Sequence, residues 1–339
     1  MSETKETIET SPLRARRLLA KVGLAVASMA TVLMVMEAAV RILGLVPSAS
    51  MYNYSESRHY GLKPNVKFES VQGIKNTINS LGLSEREIPL AKSVGEYRVV
   101  VLGDSFVQNV NVEVASRFTS VLERELNRPD DGTEFTVINA GISGYNTFQK
   151  RVLLEEVGIR YEPDLVVLAY LLNDSFQMSY SNRLYQRLPA PVSRSAMIAL
   201  NSSYLLRFLR VSFHYWVTED ELELLGGTGE LKRKQNFIAS LGDMQRMADL
   251  CSEIGSEFVV VILPYMRDFV TFEPYYTMVE SAVAERGMPV VNFAESFDLF
   301  HRNEAALQIS DGDAHPSSTA NQIIATQLLA FIQSLDTDR

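Results

Sequence analysis

Short, almost uninterrupted apolar runs recur through the second part of the 339-residue chain and constrain its fold more than any other feature. The runs are rich in β-branched residues and lack the polar alternation of a strand with one face in water. Such runs are typical of strands buried on both faces of a sheet. The predicted strands are 97–102, 135–139, 164–169, 258–263 and 289–292.

Amphipathic stretches with helical periodicity lie between these runs and after the last one. Strand and helix therefore alternate, which is the pattern of a parallel sheet covered by helices on both sides. We expect an α/β fold, a three-layer α/β/α sandwich around a mostly parallel five-stranded sheet. The predicted helices are 116–127, 147–157, 232–254, 275–286 and 318–335.

The N-terminal region contains a long apolar run that begins after a basic tail, 1–17. In the run, Lys21 and Glu37 lie close enough to the ends to reach the membrane interfaces. The sequence predicts one transmembrane helix, 18–43, because a segment of this length spans a bilayer. A cleaved signal peptide is the alternative, but the apolar run continues past its candidate cleavage sites. The positive tail predicts a cytoplasmic N-terminus and a periplasmic or extracellular body.

The rest of the chain divides by composition into three parts. Residues 44–96 are polar and poorly periodic, which predicts a juxtamembrane linker and lead-in segment of irregular structure. Residues 97–337 carry the alternating pattern and form the predicted domain. Inside it, 175–231 lack clean alternation and are predicted to be an insertion, a lid or a wall for substrate.

Charge and residue types argue against several classes of partner. A net charge of −9 makes nucleic acid an unfavourable ligand. The single Cys251 can form neither an intramolecular disulfide nor a multi-cysteine metal site. His59, His214 and His301 have no ligand-like spacing, so no metal is expected. The glycine cluster at 226–229 lacks the surroundings of a phosphate loop, and no cofactor is expected.

Polar residues follow the predicted strands at the sheet edge where ligands of open α/β sheets bind. Ser105 follows the first strand at a strand-to-helix turn, where its hydroxyl is accessible and backbone N–H groups can face an oxyanion. Gly144, after the second strand, allows a backbone N–H to approach the same oxygen. Asn173, after the third strand, offers an amide donor.

His315 lies just before the last predicted helix and can act as the general base that a serine nucleophile requires. A carboxylate must hold the imidazole in one tautomer. Asp313 and Asp311 are both close enough in sequence, and Asp313 is slightly preferred.

These blocks resemble the SGNH hydrolases, whose motifs are Gly-Asp-Ser, a Gly, Gly-x-Asn-Asp and Asp-x-x-His, in this order along a flavodoxin-like fold. The resemblance implies that Ser105 and His315 are catalytic. It also implies an oxyanion hole formed by the Ser105 backbone, Gly144 and Asn173. Two positions depart from the motifs: Leu171 replaces a Gly, and Gly312 stands where the family has the orienting Asp.

Three functions follow from this set of residues. The first is a serine esterase that cleaves an acyl, most simply an acetyl, ester of a small molecule or polysaccharide outside the cytoplasm through a Ser105 acyl-enzyme. The second is a carbohydrate O-acetyltransferase of cell-surface polysaccharides, in which a sugar hydroxyl replaces water. The third is a non-catalytic binding protein that retains the fold, suggested by the missing Asp at position 312.

Overall fold

The computed structural model describes residues 12–43, 45, 51–128, 132–174, 202–206, 208–209, 229–294, 304–311 and 313–337. Residues 1–11 of the predicted basic tail and most of the predicted insertion 175–231 lie outside the described residues.

The first helix, α1 (Pro12–Ile42), contains all but the last residue of the predicted anchor 18–43. Its Ala, Leu and Met content favours a helix. The segment Arg16–Ile42 is long and apolar enough to cross a membrane, and no residue of its most apolar 18-residue stretch is buried. A signal sequence near the N-terminus has the same properties. Length and composition thus allow α1 to be a spanning helix or a signal sequence.

Two antiparallel hairpins follow α1, formed by β1 (Tyr52–Ser55) with β2 (His59–Leu62) and by β3 (Val66–Glu69) with β4 (Lys75–Ile78). The prediction of irregular backbone is therefore wrong for residues 52–78. Their buried side chains join the main core: Tyr60, Leu62, Phe68 and Ile78. Each strand has only four residues, which is too short for a period-2 pattern to stand out in the sequence.

A five-stranded parallel sheet forms the centre of the domain, in the order β6-β5-β7-β8-β9. This confirms the predicted fold class. The register aligns the last residues of β5 and β6, so the two carboxyl ends lie at one level of the sheet. The strands are β5 (Glu96–Gly103), β6 (Glu134–Gly141), β7 (Leu165–Tyr170), β8 (Glu257–Ile262) and β9 (Val290–Asn292).

Helices cover both faces of the sheet. The described helices that follow β5 in the chain are α2 (Ser105–Gln108), α3 (Phe118–Leu126), α4 (Thr147–Glu156), α5 (Gly229–Glu253), α6 (Phe269–Ala284), α7 (Glu304–Leu307) and α8 (Ser318–Thr337). On one face α3 packs with α8, and on the other α4 packs with α5. Alternate residues of each central strand point to the two helix layers, which explains why the strands are apolar throughout. A last hairpin, β10 (Gln308–Ser310) with β11 (Asp313–Pro316), precedes α8.

Candidate active site

Ser105 lies at the tight turn between β5 and α2. Asp104 caps this short helix, because its Oδ1 accepts a hydrogen bond from the backbone N–H of Phe106 at 2.9 Å. A Cβ atom at Gly141, in the adjacent strand β6, would lie 2.3 Å from the backbone nitrogen of Gln108. The turn can therefore approach β6 only where β6 lacks a side chain, and Ser105 is left half-buried at the sheet edge.

A chain of hydrogen bonds links Ser105 to His315 and His315 to Asp313. The Nε2 atom of His315 lies 2.8 Å from Ser105 Oγ, and its Nδ1 atom lies 2.6 Å from Asp313 Oδ1. A carboxylate oxygen only accepts, so Nδ1 carries the proton and Nε2 can accept one from the serine hydroxyl. This is the arrangement that a serine nucleophile and its base require.

The carboxylate of Asp313 reaches His315 because the two residues lie on one strand. Side chains at positions i and i+2 of a strand point to the same face, and β11 contains both residues. Asp311 is exposed in the turn before β11, and no contact joins it to His315 among the described residues. The structure thus places Asp313 at the imidazole, although Gly312 occupies the position where the family carries its Asp.

The hydrogen bond from His315 lowers the pKa of Asp313, although partial burial of the carboxyl opposes this change. A hydrogen bond from the side chain of Asn111 contributes to the lowering. Asp313 is therefore held as a carboxylate beside the imidazole. Sequence reasoning missed Asn111, because nothing in its local context distinguishes it from a loop residue.

Two buried asparagines fix the position of the histidine strand. The Nδ2 atoms of Asn109 and Asn321 donate to the backbone oxygen of Pro316 at 2.9 and 3.0 Å. Asn109 ends α2 in a left-handed conformation, with φ of 37°, which Asn tolerates better than most residues. The residue after the base is thereby tied to the helix that carries the nucleophile. Neither asparagine was identified from the sequence.

Gly144 and Asn173, the other predicted oxyanion residues, lie after β6 and β7 at the same edge of the sheet. Gly144 has φ of 78°, in the left-handed region that favours glycine. The backbone N–H and hydroxyl of Ser143 both donate to Gln108 Oε1, at 2.9 and 2.6 Å, and hold this loop against α2. The Asn173 side chain is exposed, and its Nδ2 donates to Asp104 Oδ2 at 3.3 Å.

A fully buried ion pair lies behind Asn173. Lys150 of α4 contacts Asp174, which ends the 3-10 turn Leu172–Asp174. Burial raises the pKa of Asp174 to about 7, because loss of hydration outweighs the attraction of the ammonium group. No motif in the sequence marks Lys150, because its partner is determined by the packing of α4 on the sheet.

Aromatic side chains form one wall beside the histidine. The ring centroid of Phe106 lies 5.3 Å from that of His315 and 6.1 Å from that of Tyr265. Tyr265 in turn lies 5.2 Å from Phe272 of α6. Burial raises the pKa of Tyr265 well above its usual range, so its hydroxyl remains neutral. These rings pack apolar surface against one side of the imidazole.

Within the described residues, no cluster of three or more His, Cys, Asp or Glu side chains could hold a metal ion. The reactive groups that the described residues bring together at the carboxyl edge of the sheet are a hydroxyl, an imidazole and a carboxylate.

A parallel α/β sandwich with these three groups at its sheet edge has the architecture of a serine hydrolase. The sequence model of the GDSL-like lipase/acylhydrolase family matches residues 101–323, and the chain belongs to this family. It is accordingly a hydrolase of the carboxylic ester type. No curated protein matches the chain.

Several solved structures are similar in fold. One is a protein from Desulfitobacterium hafniense DCB-2 that is assigned to the G-D-S-L lipolytic family. It is 13% identical in sequence, the match covers 69% of this chain and 98% of that chain, and the TM-score is 0.43. A catalytic mutant of Axe2, an acetylxylan esterase from Geobacillus stearothermophilus, has 14% identity, coverages of 69% and 93%, and a TM-score of 0.45. A two-domain esterase active on acetylated mannans has 14% identity, coverages of 72% and 51%, and a TM-score of 0.45.

Proposed function

We propose that the protein is a serine esterase that hydrolyses a short acyl ester, such as an acetyl ester, through an acyl-enzyme on Ser105. The observation that carries the proposal is the continuous hydrogen-bond chain from Ser105 through His315 to Asp313. An unactivated serine hydroxyl is a weak nucleophile, and this chain supplies the base and the group that orients it.

In the first half of the reaction, Ser105 Oγ attacks the ester carbonyl while its proton passes to His315 Nε2. Negative charge then develops on the former carbonyl oxygen. The backbone N–H groups of Ser105 and Gly144 and the Asn173 amide are the proposed donors to this oxygen. His315 returns the proton to the departing alcohol, and the acyl group remains on Ser105.

In the second half, water takes the place of the alcohol. His315 accepts a proton from the water as it attacks the acyl carbonyl, and then returns the proton to Ser105 Oγ as the free acid leaves. The Asp313 carboxylate stabilises the imidazolium at both stages, and its lowered pKa keeps it charged for this role.

A short acyl group is proposed because of the aromatic wall beside the imidazole. Phe106 is almost completely buried next to the nucleophile, and the Tyr265 ring packs against it. A series of p-nitrophenyl esters of increasing chain length tests this point. The acetyl ester is expected to have the highest kcat/KM, and a maximum at a long acyl chain would contradict the proposal.

The esterase proposal is tested with the full chain in detergent and p-nitrophenyl acetate as substrate. Ser105→Ala and His315→Ala are each expected to lower kcat by at least about a thousandfold, as for other serine hydrolases. Ser281→Ala, which alters an exposed serine of α6, is the matched control and should leave kcat unchanged. Labelling by a fluorophosphonate should disappear in Ser105→Ala, fall strongly in His315→Ala because the serine has lost its base, and persist in Ser281→Ala. Full activity of Ser105→Ala would overturn the assignment.

We also propose that α1 remains as a single-pass anchor, with the N-terminus in the cytoplasm and the esterase domain in the periplasm or outside the cell. The length and composition of α1 and the arginines in its first turns, before the apolar run, support this topology. The mature protein should remain in carbonate-washed membranes with its intact mass. Its domain should be digested when protease is added outside spheroplasts. A mature chain that begins after α1 would show a cleaved signal instead.

A further inference from the structure

Glu37 is an acidic residue near the end of the apolar helix α1, and its carboxylate is fully engaged. Oε2 accepts from Ser203 Oγ at 2.7 Å and from the backbone N–H of Leu205 at 2.8 Å, and Oε1 accepts from that of Tyr204 at 3.0 Å. An ionisable residue in a membrane segment is costly unless it has partners, so it marks a functional contact. Here the partner is the segment made of the described residues 202–206 and 208–209.

Apolar and aromatic contacts accompany this polar contact. Val40 and Leu205 are buried against each other, with Tyr204 and Phe208 packed around them. The guanidinium of Arg41 lies 4.5 Å from the centre of the Tyr204 ring, and its Nε donates to Glu37 at 2.9 Å. The contact thus combines hydrogen bonds, a cation–π interaction and buried apolar area.

The position of Glu37 along α1 gives the depth of this contact. From the start of the apolar run at Leu18, the helix rises roughly 28 Å to Glu37, close to the thickness of the bilayer hydrocarbon core. If α1 spans the membrane, Glu37 lies at its outer boundary. The segment that Glu37 holds then lies at the level of the lipid headgroups.

The described part of this segment has a second apolar side, which is partly exposed. Leu205 and Phe208, three residues apart, face α1, whereas Leu206 and Leu209, also three residues apart, are 38% and 47% exposed. Residues at this spacing share one side of a helix. Exposed leucines at the headgroup level fit the boundary between headgroups and acyl chains.

We propose that residues 202–206 and 208–209 form a membrane-interface segment, docked on α1 through Glu37 and contacting the lipid bilayer through Leu206 and Leu209. The inference rests on the proposed anchor function of α1. The docking of this segment would explain why the spanning helix α1 contains the acidic residue Glu37. It also places at the bilayer surface a part of the chain that follows the turn carrying Asn173.

The test measures fluorescence quenching by lipids brominated near the glycerol backbone. The full chain is reconstituted in phosphatidylcholine vesicles after its single tryptophan is removed by Trp216→Phe. Leu206→Trp and Leu209→Trp are expected to lose emission in brominated vesicles relative to unbrominated ones. Val94→Trp, at an exposed loop position before β5, is the matched control and should keep its emission.

A second arm removes the docking carboxylate. Glu37→Ala in the Leu206→Trp protein should largely abolish the quenching, whereas Thr31→Val, elsewhere on α1, should leave it in place. Because tryptophan itself favours interfaces, quenching that persists in Glu37→Ala would overturn the docking.

Val32→Trp, inside the apolar run, separates the possible failures. If Val32→Trp is quenched by lipids brominated along the acyl chains but Leu206→Trp and Leu209→Trp are not quenched, the interface segment is refuted and the anchor stands. If Val32→Trp is also unquenched, the anchor and the inference both fail. Hydrolysis of p-nitrophenyl acetate by the same samples reports the proposed esterase function independently.

Discussion

The Nζ atom of Lys150 lies 2.5 Å from Oδ2 of Asp174, and both side chains are completely buried. Nζ also donates to the backbone oxygen of Ala169, in β7, at 3.0 Å, and Oδ2 accepts from the backbone N–H of Leu171 at 3.3 Å. The pair therefore connects α4, the end of β7 and the turn that carries Asn173.

Lys150→Met should destabilise the fold, because it leaves the Asp174 carboxyl buried without its cation. Loss of one partner of a buried pair costs about 3 kcal/mol of unfolding free energy. Lys92→Met is the matched control: Lys92 pairs with Asp164, but both side chains are partly exposed, and the loss should be below about 1 kcal/mol. Urea unfolding measures both values. Equal losses of unfolding free energy in Lys150→Met and Lys92→Met would contradict the prediction that burial makes the Lys150–Asp174 pair more important.

Asp313→Asn should lower kcat/KM by about a hundredfold or more, because the imidazole loses the carboxylate that stabilises its charged form. Asp311→Asn changes an exposed carboxylate of the same turn and should alter kcat/KM by less than about twofold. Initial rates with p-nitrophenyl acetate distinguish the two. A larger effect at Asp311 would show that the turn rearranges when substrate binds.

The stabilisation from Asp313 should depend on pH. Its pKa is lower in the folded protein than in the unfolded chain, so the ionised group favours folding above the unfolded value of about 4. This contribution is lost as the pH falls through the folded pKa. The difference in unfolding free energy between the wild type and Asp313→Asn should therefore be largest above pH about 5 and decrease below pH about 4. Urea unfolding from pH about 6 down to pH about 2 tests this expectation, and a constant difference over that range would contradict it.

Gly141→Ala should destabilise the protein by about 2 kcal/mol or more, because the new methyl group would overlap the backbone of α2. Activity should fall as well, since α2 carries Ser105. Gly242→Ala is the matched control. Gly242 lies inside α5 with no atom near its missing Cβ, and alanine there should stabilise the helix by about 0.5–1 kcal/mol. Thermal unfolding ranks the two variants, and similar effects would contradict the predicted clash.

The sequence predicted the sheet well because strands buried on both faces are apolar at every position, as in β7. It failed for β1–β4, where four-residue strands give no clear alternation. Ser105 and His315 could be recognised because each lies in a local motif next to a strand or helix end. Asn109, Asn321 and Lys150 could not, because their roles depend on residues that are distant in sequence and are brought near only by packing.

The choice between Asp313 and Asp311 shows a different limit. The spacing of two residues between Asp313 and His315 contained the answer, since it places both side chains on one face of a strand. It could not be used because nothing in the sequence marks the four residues of β11 as a strand. The hairpin of β10 and β11 supplies the strand geometry, and its pairing begins at residues that carry no strong strand signal.

Ser105 and His315 are 210 residues apart in the chain. At ordinary rates of protein synthesis, roughly 10 to 40 seconds pass between the addition of the serine and that of the histidine. A nascent chain therefore has its nucleophile long before its base. The incomplete chain on the ribosome should therefore not hydrolyse esters. The enzyme becomes active only when its C-terminal part has folded back onto β5, the strand that precedes Ser105.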